Sequence, residues 1–260
     1  LLCISLTAAN AFLIQHTRSP SLLTAVKRSF RTPYTHAGKV ARCMSSSQQK
    51  KKVVFCGTPD VAALSLKSIV EKSQLPGSSF EVVAVVSNPP APSGRKKVLT
   101  PSPVHKEAES LGIKVYTPTG IMKKFSDSES FLKELKGLSP DLCITAAYGQ
   151  FLTQVFLDIP RHGTLNIHPS LLPKYRGAAP LPRCLEAGDA VTGVTVLFTA
   201  LKMDSGPVLA QERRELKGNE KADDLLPELF LKGSELLVSS LPRVWSGEAR
   251  QDGHGCVVQV

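Results

Sequence analysis

Apolar residues recur along the chain in two periods, and these alternate. Lys51 to Cys56 (KKVVFC) is a short β-branched run that stops at Gly57-Thr58-Pro59-Asp60. Ala62, Leu66, Ile69 and Val70 then return at helical spacing, so the segment reads as a strand, a turn and a helix, with Asp60 placed to cap the helix. Glu81 to Ser87 (EVVAVVS) is a second buried strand. A long loop, a helix near Val104 to Leu111, a short strand at Lys114 to Tyr116 and a helix about Ser128 to Lys136 follow. The strand Leu142 to Ala146, a short helix near Thr153 to Leu157 and the strand Gly163 to Ile167 continue the alternation. Thr192 to Thr199 and Val208 to Glu212 read as the last strands, and Leu225 to Leu241 as a closing helix. The pattern predicts an α/β fold: an open, mostly parallel Rossmann-like sheet with helices on both faces. The loop Asn88 to Pro103 (NPPAPSGRKKVLTPSP), with five prolines, is expected to hold no regular structure.

Ligands of such sheets sit outside the carboxyl ends of the strands. Tyr148-Gly149 lies at one such end and Asn166-x-His168 at another. Side chains two apart on an extended chain share a face, so Asn166 and His168 aim at one spot. An amide that donates and an imidazole that titrates near neutral pH suit carbonyl chemistry, one holding an oxyanion and the other moving a proton. A strand-end Asn and His also serve neighbouring backbone in many folds, so the pair alone leaves both readings open. The turn at Gly57 carries neither G-x-G-x-x-G nor a P-loop, which disfavours dinucleotide binding. His162 and His168 are six apart without a third partner, so no metal-ligand set is expected.

Asn166, His168, the run Ser170 to Pro173 (SLLP) and Arg176-Gly177-Ala178-Ala179-Pro180 together resemble the signature of the formyltetrahydrofolate-dependent formyltransferases. The likeness extends over roughly Lys51 to Gln251. It implies the formyltransferase fold and 10-formyltetrahydrofolate as co-substrate, with Ser170, Leu171, Leu172 and Pro173 lining the folate site. It also implies a third catalytic residue downstream, an Asp beside a Gly, which LKMDSGPVL supplies as Asp204. The branch of the family that acts on initiator Met-tRNA carries a similar Gly-Thr-Pro-Asp turn and a similar basic insertion that grips the acceptor stem. By that resemblance Arg95, Lys96 and Lys97 are tRNA contacts. The expected reaction is formyl transfer to the amino group of Met-tRNA. The alternatives are a small-molecule amine acceptor, such as glycinamide ribonucleotide or an amino sugar, and a folate- or tRNA-binding relative without catalysis. Members of the tRNA branch continue past the catalytic domain into a small tRNA-binding barrel, which the 260 residues here do not include.

Charge divides the chain. Residues 1–52 hold nine Lys or Arg and no Asp or Glu, so of the formal +10 only +1 belongs to residues 53–260, with 23 basic against 22 acidic side chains. A basic, acid-free stretch rich in Ser, Thr and Ala has the composition of an organellar targeting sequence. Its apolar start (Leu1 to Gln15) and basic remainder resemble a bipartite plastid presequence, with a mitochondrial presequence as the second reading. The division expected is therefore a disordered presequence over 1–52, a catalytic domain over 53–251 and an unassigned tail over 252–260. Fifteen apolar residues broken by Ser, Thr and Asn are too few to span a bilayer, so no membrane partner is expected of the mature form. Six scattered cysteines without Cys-x-x-Cys indicate neither a zinc ribbon nor a disulfide framework, and Cys56 and Cys143 read as small buried hydrophobes.

Overall fold

A computed structural model describes residues 49–252 and the backbone of Val258–Gln259. Residues 1–48, most of the expected presequence, lie outside the described residues. In chain order the elements are β1 (Lys51–Gly57), α1 (Asp60–Gln74), β2 (Phe80–Val86), β3 (Ala91–Ser93), β4 (Val98–Thr100), α2 (Pro103–Ser110), β5 (Val115–Tyr116) and α3 (Ser128–Leu138). They continue with β6 (Leu142–Ala146), α4 (Gln154–Leu157), β7 (Thr164–His168), α5 (Pro180–Glu186), β8 (Val191–Phe198), β9 (Val208–Glu215), α6 (Ala222–Trp245) and β10 (Val258–Gln259).

Among the described residues one sheet runs in the order β10-β9-β8-β7-β6-β1-β2-β5. Only β8 is antiparallel to its neighbours β7 and β9, so the sheet is mostly parallel, as the alternation of periods predicts. The strand period of two sorts its side chains between two cores. On one face Val53, Phe55, Leu142, Ile144, Leu165, Ile167, Val194 and Val196 pack with residues of α1, α2 and α6. On the other, Val54, Cys56 and Cys143 pack with Phe131 and Leu135 of α3 and Phe156 of α4. Helices thus cover both faces. α6 comes close to the strands because residue 233 is glycine: a Cβ there would collide with Ile167 and Val194. No helix among the described residues is long and apolar enough to cross a membrane.

The structure corrects four expectations. Lys51 and Lys52, assigned to the presequence, belong to the fold: the Lys52 amide donates to Asp141 Oδ2 at 2.9 Å, and the Lys51 ammonium lies 3.7 Å from Asp141 Oδ1. Asp60 is not the cap of α1 but its first residue, preceded by Pro59. Its carboxylate favours the helix by lying at the positive end of the dipole. The proline-rich loop holds a two-stranded antiparallel ribbon, β3 against β4, with Gly94 to Lys97 as its turn. Each strand of such a ribbon has an open edge, where a proline's missing N–H costs nothing, so Pro92 is tolerated within β3. The tail left unassigned adds β10 beside β9, pairing Val258 with Ala210 and Gln259 with Gln211.

Candidate active site

At the carboxyl ends of β6 and β7 a cavity of about 810 Å³ opens. That volume suits a ligand of cofactor size. Its lining includes Asn166 and His168 from β7, Thr145 from β6, and Tyr148 to Leu152 from the segment after β6. Gly177 to Pro180, Leu201, Met203 and Asp204 also line it, with Leu226 and Phe230 of α6. Asn166, His168 and Asp204 are therefore brought together, as is Tyr148-Gly149.

Each polar group in the centre is held by others. Asn166 and His168 point away from the core that takes Leu165 and Ile167, since alternate residues of β7 face opposite sides. The Thr145 hydroxyl lies 2.8 Å from Asn166 Oδ1 and 3.2 Å from the Leu165 carbonyl, two acceptors that share its one hydrogen. With its oxygen so engaged, the Asn166 amide turns its NH₂ group toward Asp204, donating to Oδ1 at 3.5 Å. Asp204 sits in the tight connection from β8 to β9 with a left-handed φ of 46°. The turn closes through the Phe198 amide donating to the Pro207 carbonyl at 2.9 Å, and Gly206 is required there because a Cβ would strike the Phe198 carbonyl. Asp204 Oδ2 accepts from the Gly177 amide at 2.8 Å and lies 3.7 Å from His168 Nδ1. His168 Nε2 lies 3.1 Å from the Tyr175 carbonyl. Nε2 is thus within hydrogen-bond distance of an acceptor, whereas Nδ1 faces Asp204 at ion-pair distance only.

The walls are largely apolar, with Asp60, Gln150 and Thr199 as further polar lining. Tyr148 is buried and its hydroxyl has no hydrogen-bond partner among the described residues. Burial first, and then the neighbouring Cys56, push its ionisation well above the ordinary phenol range, so Tyr148 stays neutral. Phe151, Leu201 and Met203 stand more than half exposed on the lining. Large apolar groups left open to water around a polar centre mark a ligand-binding mouth.

Two groups of expected site residues are not in this cavity. Ser170, Leu171, Leu172 and Pro173 do not line it. Ser170 and Leu172 are buried, and the loop's polar groups are bonded within the loop and to β8 and β9. The Ser170 hydroxyl donates to the Lys174 carbonyl at 2.8 Å, the Leu172 amide donates to Thr195 Oγ1 at 3.1 Å, and the Leu172 carbonyl accepts from Gln211 Nε2 at 2.8 Å. The Leu172–Pro173 peptide is cis. Leu171 faces a separate, smaller cavity with Lys174, Tyr175 and Asp189. The run thus braces the strand end that carries His168. Arg95, Lys96 and Lys97 are exposed at the turn of the β3–β4 ribbon and take no part in the lining. Thr145 and Gly177, which fix the orientation of Asn166 and Asp204, are not evident as site residues from the sequence. For Thr145 the available signal is a polar residue inside the apolar strand LCITA.

Comparison with known proteins agrees with this geometry. The family pattern described as "Formyl transferase" matches residues 50–241. The methionyl-tRNA formyltransferase of Kosmotoga olearia is 43% identical over 199 residues, covering 76% of this chain and 60% of that protein. That of Macrococcus caseolyticus is 40% identical over 196 residues, covering 75% and 59%. The chain thus spans about 60% of the length of these relatives. Among solved structures, the phosphoribosylglycinamide formyltransferase of Brucella melitensis superposes with a TM-score of 0.63 at 26% identity, covering 78% of this chain and all of that one. Glycinamide ribonucleotide transformylase 1 of Symbiobacterium toebii shares the fold with a TM-score of 0.66 at 20% identity, covering 82% of this chain and all of that one. With a family match across most of its length and a polar centre at the strand ends that fold provides, this chain belongs to the formyl transferase family.

Proposed function

We propose that the chain carries the catalytic domain of a methionyl-tRNA formyltransferase, which moves the formyl group of 10-formyltetrahydrofolate to the amino group of initiator Met-tRNA. The observation that carries this reading is the convergence of Asn166, His168 and Asp204 in one cavity, in a chain 43% identical to a protein of that name. The neutral amine attacks the formyl carbon, forming a C–N bond and a tetrahedral oxyanion. The Asn166 NH₂ group donates to that oxygen, and so does His168 Nδ1–H, which at 3.7 Å from Asp204 Oδ2 is not committed to a hydrogen bond while Nε2 faces the Tyr175 carbonyl. Collapse breaks the bond from the formyl carbon to folate N10, the amine loses a proton and N10 gains one. Asp204, 3.7 Å from His168 Nδ1, helps to orient the ring. Holding both reactants in one cavity supplies the rest of the acceleration through proximity.

For the acceptor, the exposed cations Arg95, Lys96 and Lys97 support tRNA over a small amine. Residues 53–260 carry a net charge of only +1, so phosphate binding must rely on a local cluster rather than a broad field. Arginine and lysine on a protruding ribbon suit a phosphate backbone. The test offers the full chain charged initiator tRNA and glycinamide ribonucleotide in competition, with labelled 10-formyltetrahydrofolate. Label on the tRNA supports the reading, and label on the ribonucleotide alone assigns a small-molecule transferase.

The same proposal places the protein in an organelle, plastid or mitochondrion, on the strength of the acid-free basic stretch before Asp60. A fluorescent fusion of residues 1–52 checks it, and a diffuse cytosolic signal rejects it.

A further inference from the structure

The bend Tyr175–Gly177 touches both His168 and Asp204, by main-chain atoms alone. The Tyr175 carbonyl faces His168 Nε2 at 3.1 Å, and the Gly177 amide donates to Asp204 Oδ2 at 2.8 Å. Tyr175 holds this carbonyl in place with a left-handed φ of 58°, which a bulky side chain rarely adopts, so something outside the bend must hold it. The side chain shows what. The Tyr175 hydroxyl donates to Asp189 Oδ2 at 3.0 Å, on the rim of the smaller cavity of about 220 Å³ and outside the catalytic one. From the other side Arg183 Nη2 donates to the Arg176 carbonyl at 2.6 Å, with the guanidinium 5.7 Å from the Tyr175 ring centre.

We infer that Asp189 and Tyr175 form a positioning pair: acting through the strained bend, they hold the Tyr175 carbonyl on His168 Nε2 and thereby set the ring's orientation toward the reacting carbonyl. Asp189 touches no reacting atom. Its effect reaches the centre through Tyr175, hydroxyl to phenol ring to main chain; the same Asp189 oxygen also meets the Lys174 ammonium at 3.3 Å and the Cys184 thiol at 3.7 Å, so the Lys174 contact needs its own control. This inference rests on the catalytic role given to His168 under the proposed function.

The experiment uses the full chain with Tyr175→Phe, which removes the donor, and Asp189→Leu, which removes the acceptor at similar size, singly and together. Each is expected to lower kcat about 10-fold, with KM for both substrates within about twofold, since a misplaced catalytic group costs rate and not ground-state binding. The double variant is expected to be no slower than the slower single, the sign that the two act as one unit. Lys174→Met, which removes only the ammonium 3.3 Å from Asp189, is the control and is expected to leave kcat unchanged. An independent readout is the ¹⁵N–¹H spectrum of the histidine rings, with the His168 signal identified by its loss in His168→Gln. Tyr175→Phe is expected to move that signal. Should Asp189→Leu melt early, Tyr175→Phe decides alone, as it removes a single hydroxyl. An unmoved ring signal, or an unchanged kcat in an active enzyme, overturns the inference. If the wild-type chain transfers no formyl group, the proposed function falls while the ring signal still decides the positioning role.

Discussion

The polar centre of the cavity and the basic ribbon are held by opposite means. In the centre, Asp204 is engaged by Asn166, His168 and the Gly177 amide, and Asn166 is engaged at both ends of its amide. In the ribbon, three register pairs and the Ser87–Ser102 hydroxyl contact at its root (2.6 Å) support a turn whose cations stand in water. The first arrangement fixes atoms to within the tolerance of a hydrogen bond. The second places charge and leaves the side chains free to adapt. A single-atom change should therefore be costly in the centre, whereas in the ribbon losses should accumulate charge by charge.

The largest effect expected is in the centre. Asn166→Ala, His168→Ala and Asp204→Asn should each lower turnover by more than about 100-fold, with folate binding nearly intact, as loss of a preorganised oxyanion donor does. Steady-state kinetics with a folate-binding titration checks this. A near wild-type rate in any one removes that residue from the assigned chemistry. Next comes the brace behind the strand. Leu172→Ala should destabilise the fold by about 2–4 kcal/mol in denaturant titration while leaving the KM for folate within twofold, because Leu172 is buried away from the cavity. A raised KM with unchanged stability would return the Ser170–Pro173 run to the folate wall.

In the ribbon, replacing Arg95, Lys96 and Lys97 together with Ala should flatten the log-log salt dependence of tRNA binding by roughly two to three units, one for each phosphate no longer neutralised. Folate affinity should not move. An unchanged slope makes these cations ordinary solvated surface. The smallest effect expected is at His162, which packs edge-on against Trp245. Burial first, and then the Lys51 charge, hold its imidazole below the usual range. The unfolded chain therefore takes up this proton at a higher pH than the folded one. Stability attributable to His162 is full above the unfolded value of about 6.5 and falls as pH drops from there toward the lower folded value. Thermal melting of wild type and His162→Gln across that window should show the wild type losing more stability on acidification. Parallel curves would reject the assignment.

What the sequence disclosed followed the physics of each region. The buried strands of the sheet announce themselves because each is a short β-branched run, and the shared face of Asn166 and His168 follows from the strand period alone. The ribbon was hidden by its prolines, which argue against a ladder except where an edge is open, as it is on both sides of two strands. α5 was hidden in a loop-like stretch, although Pro180 at its first position and Gly188 just past its end are the usual helix boundaries. Asp204 is 36 residues beyond His168 in the sequence, and no local period connects them, so only resemblance to a family pointed there. The Ser170–Pro173 run was assigned to the folate site by resemblance alone, and it does not line the cavity that holds Asn166, His168 and Asp204.

The central claim is that this centre transfers a formyl group to an aminoacyl-tRNA. Its most direct test is single-turnover transfer from 10-formyltetrahydrofolate to charged initiator Met-tRNA by the full chain, compared with the His168→Ala variant. The account predicts formyl-Met-tRNA from the wild type and a rate at least about 100-fold lower from the variant, with equal folate occupancy in both. Equal rates in the two, or no formylated tRNA from a folded wild-type chain that binds folate, would contradict it.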